Sequence, residues 1–347
     1  MSKLSKTQKE FDQFFEENLK SEIDRLEDQR LQLKQRRNKQ LIFFLIAAIP
    51  PIVIAQLVPK WYSVLCYVIT VVIIGIGFSK IGKTYDKFGD MMKQKIVKEI
   101  VSFINPNFTY EPGQHIPEST FQDTGIFENQ YNEYNGDDLI YGEVYKGHFH
   151  RTQIAFSEVE ALHVESDRSG PDHDTNTVHK SVVFQGLFFE VEFDKHFKGT
   201  TIIHPNEKKS KQFQFKKFNI FRKHPELTEI DLGHEEFHES FTVKTNDEFQ
   251  AKTLLTHDFI DELLTFIQSS QEKATNRIKH VPDSLIKKVV PYFSFKDGKM
   301  YFLHNTLQNH FEFDLNKKPD QKLIYSFFED INQALKLIED INIQLHH

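Results

Sequence analysis

The sequence predicts an α+β fold: an N-terminal helix and a two-helix transmembrane hairpin, followed by a cytosolic mixed β-sheet domain with packed helices. Three observations predict it. Two uncharged apolar runs lie near the N-terminus, segments rich in β-branched and aromatic residues fill the middle of the chain, and amphipathic helical patterns flank them. The 347 residues include 34 Phe and carry a net charge of −7. This composition can bury a core and argues against a general nucleic-acid binder.

The apolar runs cover residues 41–58 and 61–78 and contain no formal charge. A helix of about 18 residues is about 27 Å long, close to the hydrocarbon core of about 30 Å. Only Pro59 and Lys60 separate the runs, so we expect a tight hairpin. The long polar segment before the first run argues against a signal peptide. Pro50 and Pro51 should kink the first helix, and a hairpin that re-enters the same leaflet is therefore the alternative.

Positive charge flanks the hairpin on both sides, whereas the turn carries only Lys60. The positive-inside rule then predicts a multi-pass protein of the inner membrane with both termini in the cytosol. The flanking cations are Lys34, Arg36, Arg37 and Lys39 before the hairpin, and Lys80, Lys83 and Lys87 after it.

Beyond the hairpin (41–80), we divide the chain into a charged amphipathic helix (1–40), a cytosolic helix (81–105), a linker (106–120) and an α+β domain (121–347). The helices on either side of the hairpin each carry an apolar stripe at helical spacing. We expect them to continue the hairpin as an antiparallel pair. Self-association through a coiled coil is the alternative.

Within the α+β domain, Thr256 is the predicted N-cap of one helix, and residues 320–345 form a terminal amphipathic helix. Alternating β-branched and aromatic residues predict the strands. These strands are residues 139–145, 152–156, 159–164, 182–193, 200–204, 292–295, 300–304 and 311–315.

The sharpest chemical motif is the sequence HEEFH, in which His234 and His238 lie four residues apart and Glu235 lies between them. On a helix, such histidines can bind zinc and the glutamate can activate water, as in a zinc-dependent hydrolase. However, only about two helical turns fit before a strand-like segment. The structural alternative is a short exposed helix whose Phe237 and Phe241 face the core. No nucleotide-binding motif is present, so we expect no cofactor and no catalytic or metal-binding residues, with zinc as the alternative.

A second candidate site is a basic run with interleaved Phe residues. Its lysines could face anionic lipid headgroups, each contributing about 1 kcal/mol near the surface, or they could face solvent. The candidate lipid-facing residues are Lys208, Lys209, Lys211, Lys216 and Lys217.

Four segments, residues 138–160, 184–205, 236–264 and 295–313, carry a family resemblance. The most distinctive of these segments is residues 184–205, with the sequence FQGLFFEVEFDKHFKGTTIIHP. Over residues 120–320 the chain resembles the bacterial membrane family of domain of unknown function 3137. The resemblance implies a membrane hairpin and one cytosolic α+β domain, supplies no reaction, and suggests a LemA-type membrane protein as a partner. Around residue 237 it rests on Phe and Glu and not on the two histidines.

We therefore expect a membrane-anchored cytosolic scaffold or sensor that binds a partner protein or the membrane surface. The alternative is a zinc-dependent hydrolase that uses His234, Glu235 and His238.

Overall fold

The computed structural model describes residues 5–127, 130–146, 150–168, 176–193, 198–206, 226–277, 289–306 and 309–345. The chain forms two compact units, which are described separately. The helical unit comprises Thr7–Ile100 and Phe311–Phe327. The sheet unit comprises Met1–Lys6, Val101–His310 and Phe328–His347.

Two long helices, α1 (Gln8–Leu57) and α2 (Lys60–Ile104), supply most of the helical unit, which includes α2 as far as Ile100. The Thr7 side chain caps α1 in a capping box with Glu10. Short π-helical turns interrupt the α-helical pattern at Phe15–Leu19 and Lys93–Val97. Within the described residues, these two helices are long and apolar enough to cross a membrane.

The two helices lie antiparallel, as predicted. Thr84 Oγ1 is 3.2 Å from Gln40 Oε1, and nearer the turn Gln56 Nε2 donates to the Tyr67 hydroxyl at 3.1 Å. Among the described residues, most large apolar side chains around these contacts are exposed. Leu57, for example, is 80% exposed. Only 11% of each apolar window is buried, so these helices do not have the burial of core helices in a soluble domain.

The strand predicted at residues 311–315 is wrong, although its alternating pattern is real. Phe311, Phe313 and Leu315 are buried while the residues between them are exposed. The segment packs on α1, where the buried Arg30 donates from Nη1 to the Leu315 carbonyl at 2.8 Å. A period of two therefore arises here from docking on a helix and not from strand pairing.

The described part of the sheet unit contains a nine-stranded antiparallel sheet in the order β1-β2-β3-β4-β9-β8-β5-β7-β6. Its strands are β1 Phe108–Glu111, β2 Glu133–Lys146, β3 His150–Arg168, β4 Asn176–Phe193, β5 Thr200–Pro205, β6 Thr228–Ile230, β7 Phe241–Thr245, β8 Pro291–Lys296 and β9 Lys299–Asn305.

Two sequence expectations differ from this sheet. The predicted linker 106–120 contains the edge strand β1. The strands predicted at 152–156 and 159–164 are one strand, β3. The polar residues at the predicted break are buried and bonded: Ser157 Oγ accepts from the Ile116 N–H at 3.0 Å, and Glu158 Oε2 accepts from the His310 N–H at 2.8 Å.

Five further helices belong to the described residues: α3 Glu118–Asp123, α4 Glu235–Ser240, α5 Glu248–Leu254, α6 His257–Arg277 and α7 Gln321–Leu345. Thr256 caps α6, as predicted, because its Oγ1 accepts from the Phe259 N–H at 3.3 Å. The predicted terminal helix is confirmed as α7.

The two faces of the sheet are covered differently. On one face, Phe189 stacks on Phe302 with ring centroids 5.3 Å apart, and Phe266 of α6 packs edge-on against Phe302 at 5.7 Å. On the opposite face, Phe121 of α3 packs against Phe188 at 5.6 Å. The short helix α3 covers only part of its face, and the part that it leaves open carries charged side chains beside apolar ones.

Candidate functional site

An open groove of about 990 Å³ occupies the uncovered part of the face that carries α3. Strands β1, β2, β3, β4 and β9 supply its floor. Direct partners in an antiparallel pair share one face, and Gln153 of β3 pairs with Glu192 of β4, which in turn pairs with Lys299 of β9. We refer to this feature as the acidic groove.

Among the described residues that line the acidic groove, four are glutamates and one is a lysine. Lys299 Nζ lies 2.7 Å from Glu190 Oε1, and this hydrogen bond raises the pKa of Lys299. The charged lining residues are Glu111, Glu143, Glu190, Glu192 and Lys299. Glu143 is paired with Arg151, so the excess of negative charge in the groove comes from Glu111 and Glu192.

Tyr141 gives the acidic groove an aromatic surface. Its side chain is 39% exposed, and its hydroxyl donates to Glu111 Oε1 at 2.9 Å. The bond to the Glu111 carboxylate raises the pKa of Tyr141 and keeps the phenol protonated. A ring face beside carboxylates is a combination that holds ammonium and guanidinium groups.

The wall of the acidic groove is the chain between β1 and α3, which includes His115, Ile116 and Pro117. The bond from the Ile116 N–H to Ser157 fixes this wall, and the Tyr134 hydroxyl donates to the Ile116 carbonyl at 2.9 Å. The floor includes Gly142, where a Cβ would lie 2.5 Å from the Asn107 carbonyl oxygen. A side chain there would push β1 away, so glycine keeps the groove edge closed.

The histidines of the HEEFH motif lie on the short helix α4 or at its N-cap. His234 Nδ1 accepts from the Phe237 N–H at 3.2 Å, and His238 Nε2 accepts from the Leu232 N–H at 2.9 Å. Phe237 is fully buried and stacks on Phe241 with centroids 5.3 Å apart. One nitrogen of each histidine is therefore engaged in shaping the local backbone.

Zinc would have to bind the other nitrogen of each ring, and in His234 that nitrogen, Nε2, lies 3.3 Å from Asp261 Oδ1. In the described part of the chain, neither His234 nor His238 belongs to a group of three ligand side chains whose donor atoms lie within 4.8 Å of one another. The zinc hypothesis, with Glu235 as the base, stays a prediction. Metal analysis of the purified protein tests it, with His238→Ala as the control that should lose any stoichiometric zinc.

The group that does meet that distance criterion is Asp137, Asp138 and Glu158, at the bulge between β2 and β3. Three carboxylates are a ligand set for hard cations. Here the Tyr110 hydroxyl donates to Asp138, and the His310 N–H donates to Glu158. The cluster is therefore part of the hydrogen bonding that holds the bulge.

The buried side chain of His310 joins this network to α7. Its Nδ1 lies 3.1 Å from Asp330 Oδ2, and its Nε2 lies 2.7 Å from Thr306 Oγ1. The His310 side chain is 3% exposed and that of Asp330 is 9% exposed. A triad of this composition resembles a nucleophile–base arrangement, but its burial makes it a structural network.

The lysine run at 208–217 lies outside the described residues, so the structure does not place the candidate lipid-facing lysines. Conversely, the sequence reasoning missed the acidic groove. One signal was available, because Glu190 and Glu192 alternate with buried residues of β4 and must share the opposite face. What the sequence lacked was the register that adds the glutamates of β1 and β2.

Residues 182–343 match the family model described as "Protein of unknown function (DUF3137)". This segment is therefore similar to the DUF3137 family. The predicted resemblance is thereby confirmed, although the DUF3137 match begins later and ends later than the predicted range of 120–320. The comparisons found no matching curated protein and no matching solved structure. The matched segment includes Glu190 and Glu192 of β4 and Lys299 of β9, which line the acidic groove.

Proposed function

We propose that this protein is a membrane-anchored binding module whose acidic groove holds a cationic segment of a partner protein. The observation that carries the proposal is the composition of the groove, with four glutamates, one lysine and an exposed tyrosine ring on one open sheet face. Complementary charge steers such a segment into the groove and rejects acidic competitors. The role is that of a scaffold or sensor, with no reaction assigned.

The dimensions of the groove favour a protein segment over a small cation. Five adjacent strands contribute to it, and with a strand spacing of about 4.8 Å the floor is about 19 Å wide. An extended peptide covers that width with about six residues. Lys or Arg side chains two residues apart would then face the floor together.

Membrane anchoring rests on the hairpin of α1 and α2. The helical pattern of α1 continues through Pro50 and Pro51. This continuity supports a hairpin that spans the whole membrane rather than one that re-enters the same leaflet. With the cations at both flanks, we place both termini in the cytosol and the protein in the inner membrane. The acidic groove then lies on the cytosolic side, where a juxtamembrane basic segment of another membrane protein can reach it.

The identity of the partner is open to direct test. A LemA-type membrane protein is the candidate that the family resemblance suggests, and a second copy of this chain is another. Binding of the lysine run at 208–217 to lipid is a separate hypothesis. Loss of liposome binding when those lysines are neutralised would support it.

Fluorescence anisotropy with full-length protein in lipid nanodiscs tests the acidic groove. The probe is a fluorescein-labelled ten-residue peptide of alternating Lys and Ala, and the same peptide with Glu is the control. The variant Glu111→Gln/Glu192→Gln removes two charges and leaves the Lys299–Glu190 pair intact. Because exposed ion pairs contribute about 0.2–1 kcal/mol each, we expect binding to weaken about tenfold at low salt.

A matched control removes the same charge elsewhere on the sheet. Glu160 and Glu165 lie on β3 and do not line the acidic groove. Glu160→Gln/Glu165→Gln should bind the Lys peptide within twofold of the wild type. Equal weakening in both double variants would show a general net-charge effect and contradict the proposal, as would binding of the Glu peptide.

A further inference from the structure

A second pocket, of about 440 Å³, lies in the helical unit at the boundary between the charged and apolar parts of the two long helices. Three cations line it: Arg36 and Lys39 from α1, and Lys80 from α2. No carboxylate is among the described residues that line the pocket. Lys39 lies two residues before the apolar run that starts at residue 41, and Lys80 two residues after the run that ends at residue 78.

Among the described residues, these three cations form no ion pair with a carboxylate. Among the described residues, no carboxylate oxygen lies within 4.0 Å of the charged nitrogens of Arg36, Lys39 or Lys80. Lys80 Nζ instead lies over the ring of Phe44, 5.8 Å from its centroid. Three like charges that converge without a counter-charge repel one another, and a bound anion would relieve that repulsion.

The floor of the pocket is apolar. Phe43 and Phe44 form it, and Phe44 packs closely against Gly77 of α2. A Cβ at residue 77 would lie 2.9 Å from the Phe44 ring, so glycine allows the two helices to approach there. The pocket thus has a polar upper part and an aromatic lower part that faces the apolar run, which is the polarity of a lipid at the membrane interface.

Amide side chains complete the upper part. Gln32, Gln35 and Gln40 line it together with the cations, and the bond between Gln40 Oε1 and Thr84 Oγ1 fixes the orientation of one amide. Guanidinium, ammonium and amide groups are the donors that bind phosphate oxygens.

We propose that this pocket binds the phosphate headgroup of an anionic phospholipid in the cytosolic leaflet, with Arg36, Lys39 and Lys80 as the phosphate-binding residues. The first acyl carbons of the lipid lie against Phe43 and Phe44. The site rests on the proposed membrane anchoring and is independent of the acidic groove. Arg36 and Lys39, one turn apart on α1, approach the phosphate from one helix and Lys80 approaches it from the other.

Native mass spectrometry of the full-length protein in detergent tests the site. The probes are phosphatidylglycerol and phosphatidylcholine with the same acyl chains, and soluble glycerol 3-phosphate is the third probe. We expect phosphatidylglycerol to bind at least tenfold more tightly than phosphatidylcholine. Glycerol 3-phosphate should bind far more weakly, because it lacks the acyl chains that contact the aromatic floor. Equal binding of the two lipids, or equally tight binding of glycerol 3-phosphate, would overturn the proposal.

The variant Arg36→Gln/Lys39→Gln should weaken phosphatidylglycerol binding about tenfold. Lys83→Gln/Lys87→Gln removes the same charge from the same flank, at exposed residues that do not line the pocket, and should stay within twofold of the wild type. Equal loss in the two variants would show general attraction by the basic flank and overturn the assigned site.

Alkaline carbonate extraction separates this proposal from the anchor on which it rests. If the pocket variant stays in the membrane pellet but loses phosphatidylglycerol, the lipid site is supported and anchoring is unaffected. If wild-type protein is itself extracted, the anchor fails and the lipid site fails with it.

Discussion

His204 should make the stability of the sheet unit depend on pH, and His204→Leu should remove that dependence. His204 lies at the end of β5 and is 6% exposed. Its Nδ1–H donates to the Pro205 carbonyl at 3.0 Å. Burial lowers the pKa of His204 from 6.5 to about 4, because the charged imidazolium loses its hydration inside the protein.

A lowered histidine pKa fixes the direction in which the free energy of unfolding changes with pH. Between pH 6.5 and about 4, the unfolded chain binds a proton at His204 that the folded chain does not bind. The free energy of unfolding therefore falls as the pH is lowered through this range, and it does not depend on His204 above pH 6.5. A pKa difference of about 2.5 units corresponds to about 3 kcal/mol by pH 4.

Hydrogen exchange of the full-length protein, followed by mass spectrometry, measures the opening free energy of individual peptides and so detects this pH dependence around His204. Peptides that cover β5 and β7 should lose protection as the pH is lowered from 7 to 5, after correction for intrinsic exchange rates. His204→Leu removes the bond to the Pro205 carbonyl and should lower the opening free energy by about 1 kcal/mol at pH 7. Its opening free energy should then change little with pH.

The control is His179→Leu, because His179 is exposed on β4 and should leave the pH dependence intact. If the wild type and His204→Leu lose protection in parallel as the pH falls, the reasoning about His204 is refuted.

His310→Ala should lower the free energy of unfolding by about 3–5 kcal/mol, measured by urea denaturation, because it removes the shared buried partner of Asp330 and Thr306. His310→Gln should recover part of that loss, and equal stability of His310→Ala and wild type would contradict the buried network. A C-terminal alkaline phosphatase fusion, active only outside the cytosol, should be inactive, and a C-terminal green fluorescent protein fusion should be fluorescent. The opposite pair of results would contradict the proposed topology.

The helices were predictable because their signals are local. Thr256 and the apolar runs each mark a helix through residues within one or two turns. The strands were predictable in existence but not in extent. The predicted break in β3 at Ser157 and Glu158 failed because both side chains have buried partners far along the chain, at Ile116 and His310.

The strand predicted at 311–315 failed for a related reason. Alternating burial shows that two opposite sides of an extended segment differ, but it does not show what covers the buried side. Here the cover is α1, and the Leu315 carbonyl bonds to the Arg30 side chain. The decisive contact joins residues that are 285 positions apart.

The two proposed sites differ in how far the sequence points to them. The basic residues that flank the hairpin could be identified from the sequence. Their convergence in one pocket, Lys80 with Arg36 and Lys39, depends on the antiparallel register of two helices. The acidic groove depends on the register of five strands, because Glu111 and Glu192 lie far apart in the sequence and on different strands. Register is a property of tertiary pairing that a local pattern does not fix.

Photo-crosslinking in native membranes tests the central claim, the binding of a cationic partner segment in the acidic groove, most directly. Benzoylphenylalanine at Gln153 reports from the groove, and the same group at Phe249, which is 79% exposed on α5, is the control. We predict that crosslinked peptides from Gln153 carry a cluster of Lys or Arg, and that Glu111→Gln/Glu192→Gln reduces their yield. Neutral or acidic peptides from Gln153, or the same peptides from both positions, would contradict the account.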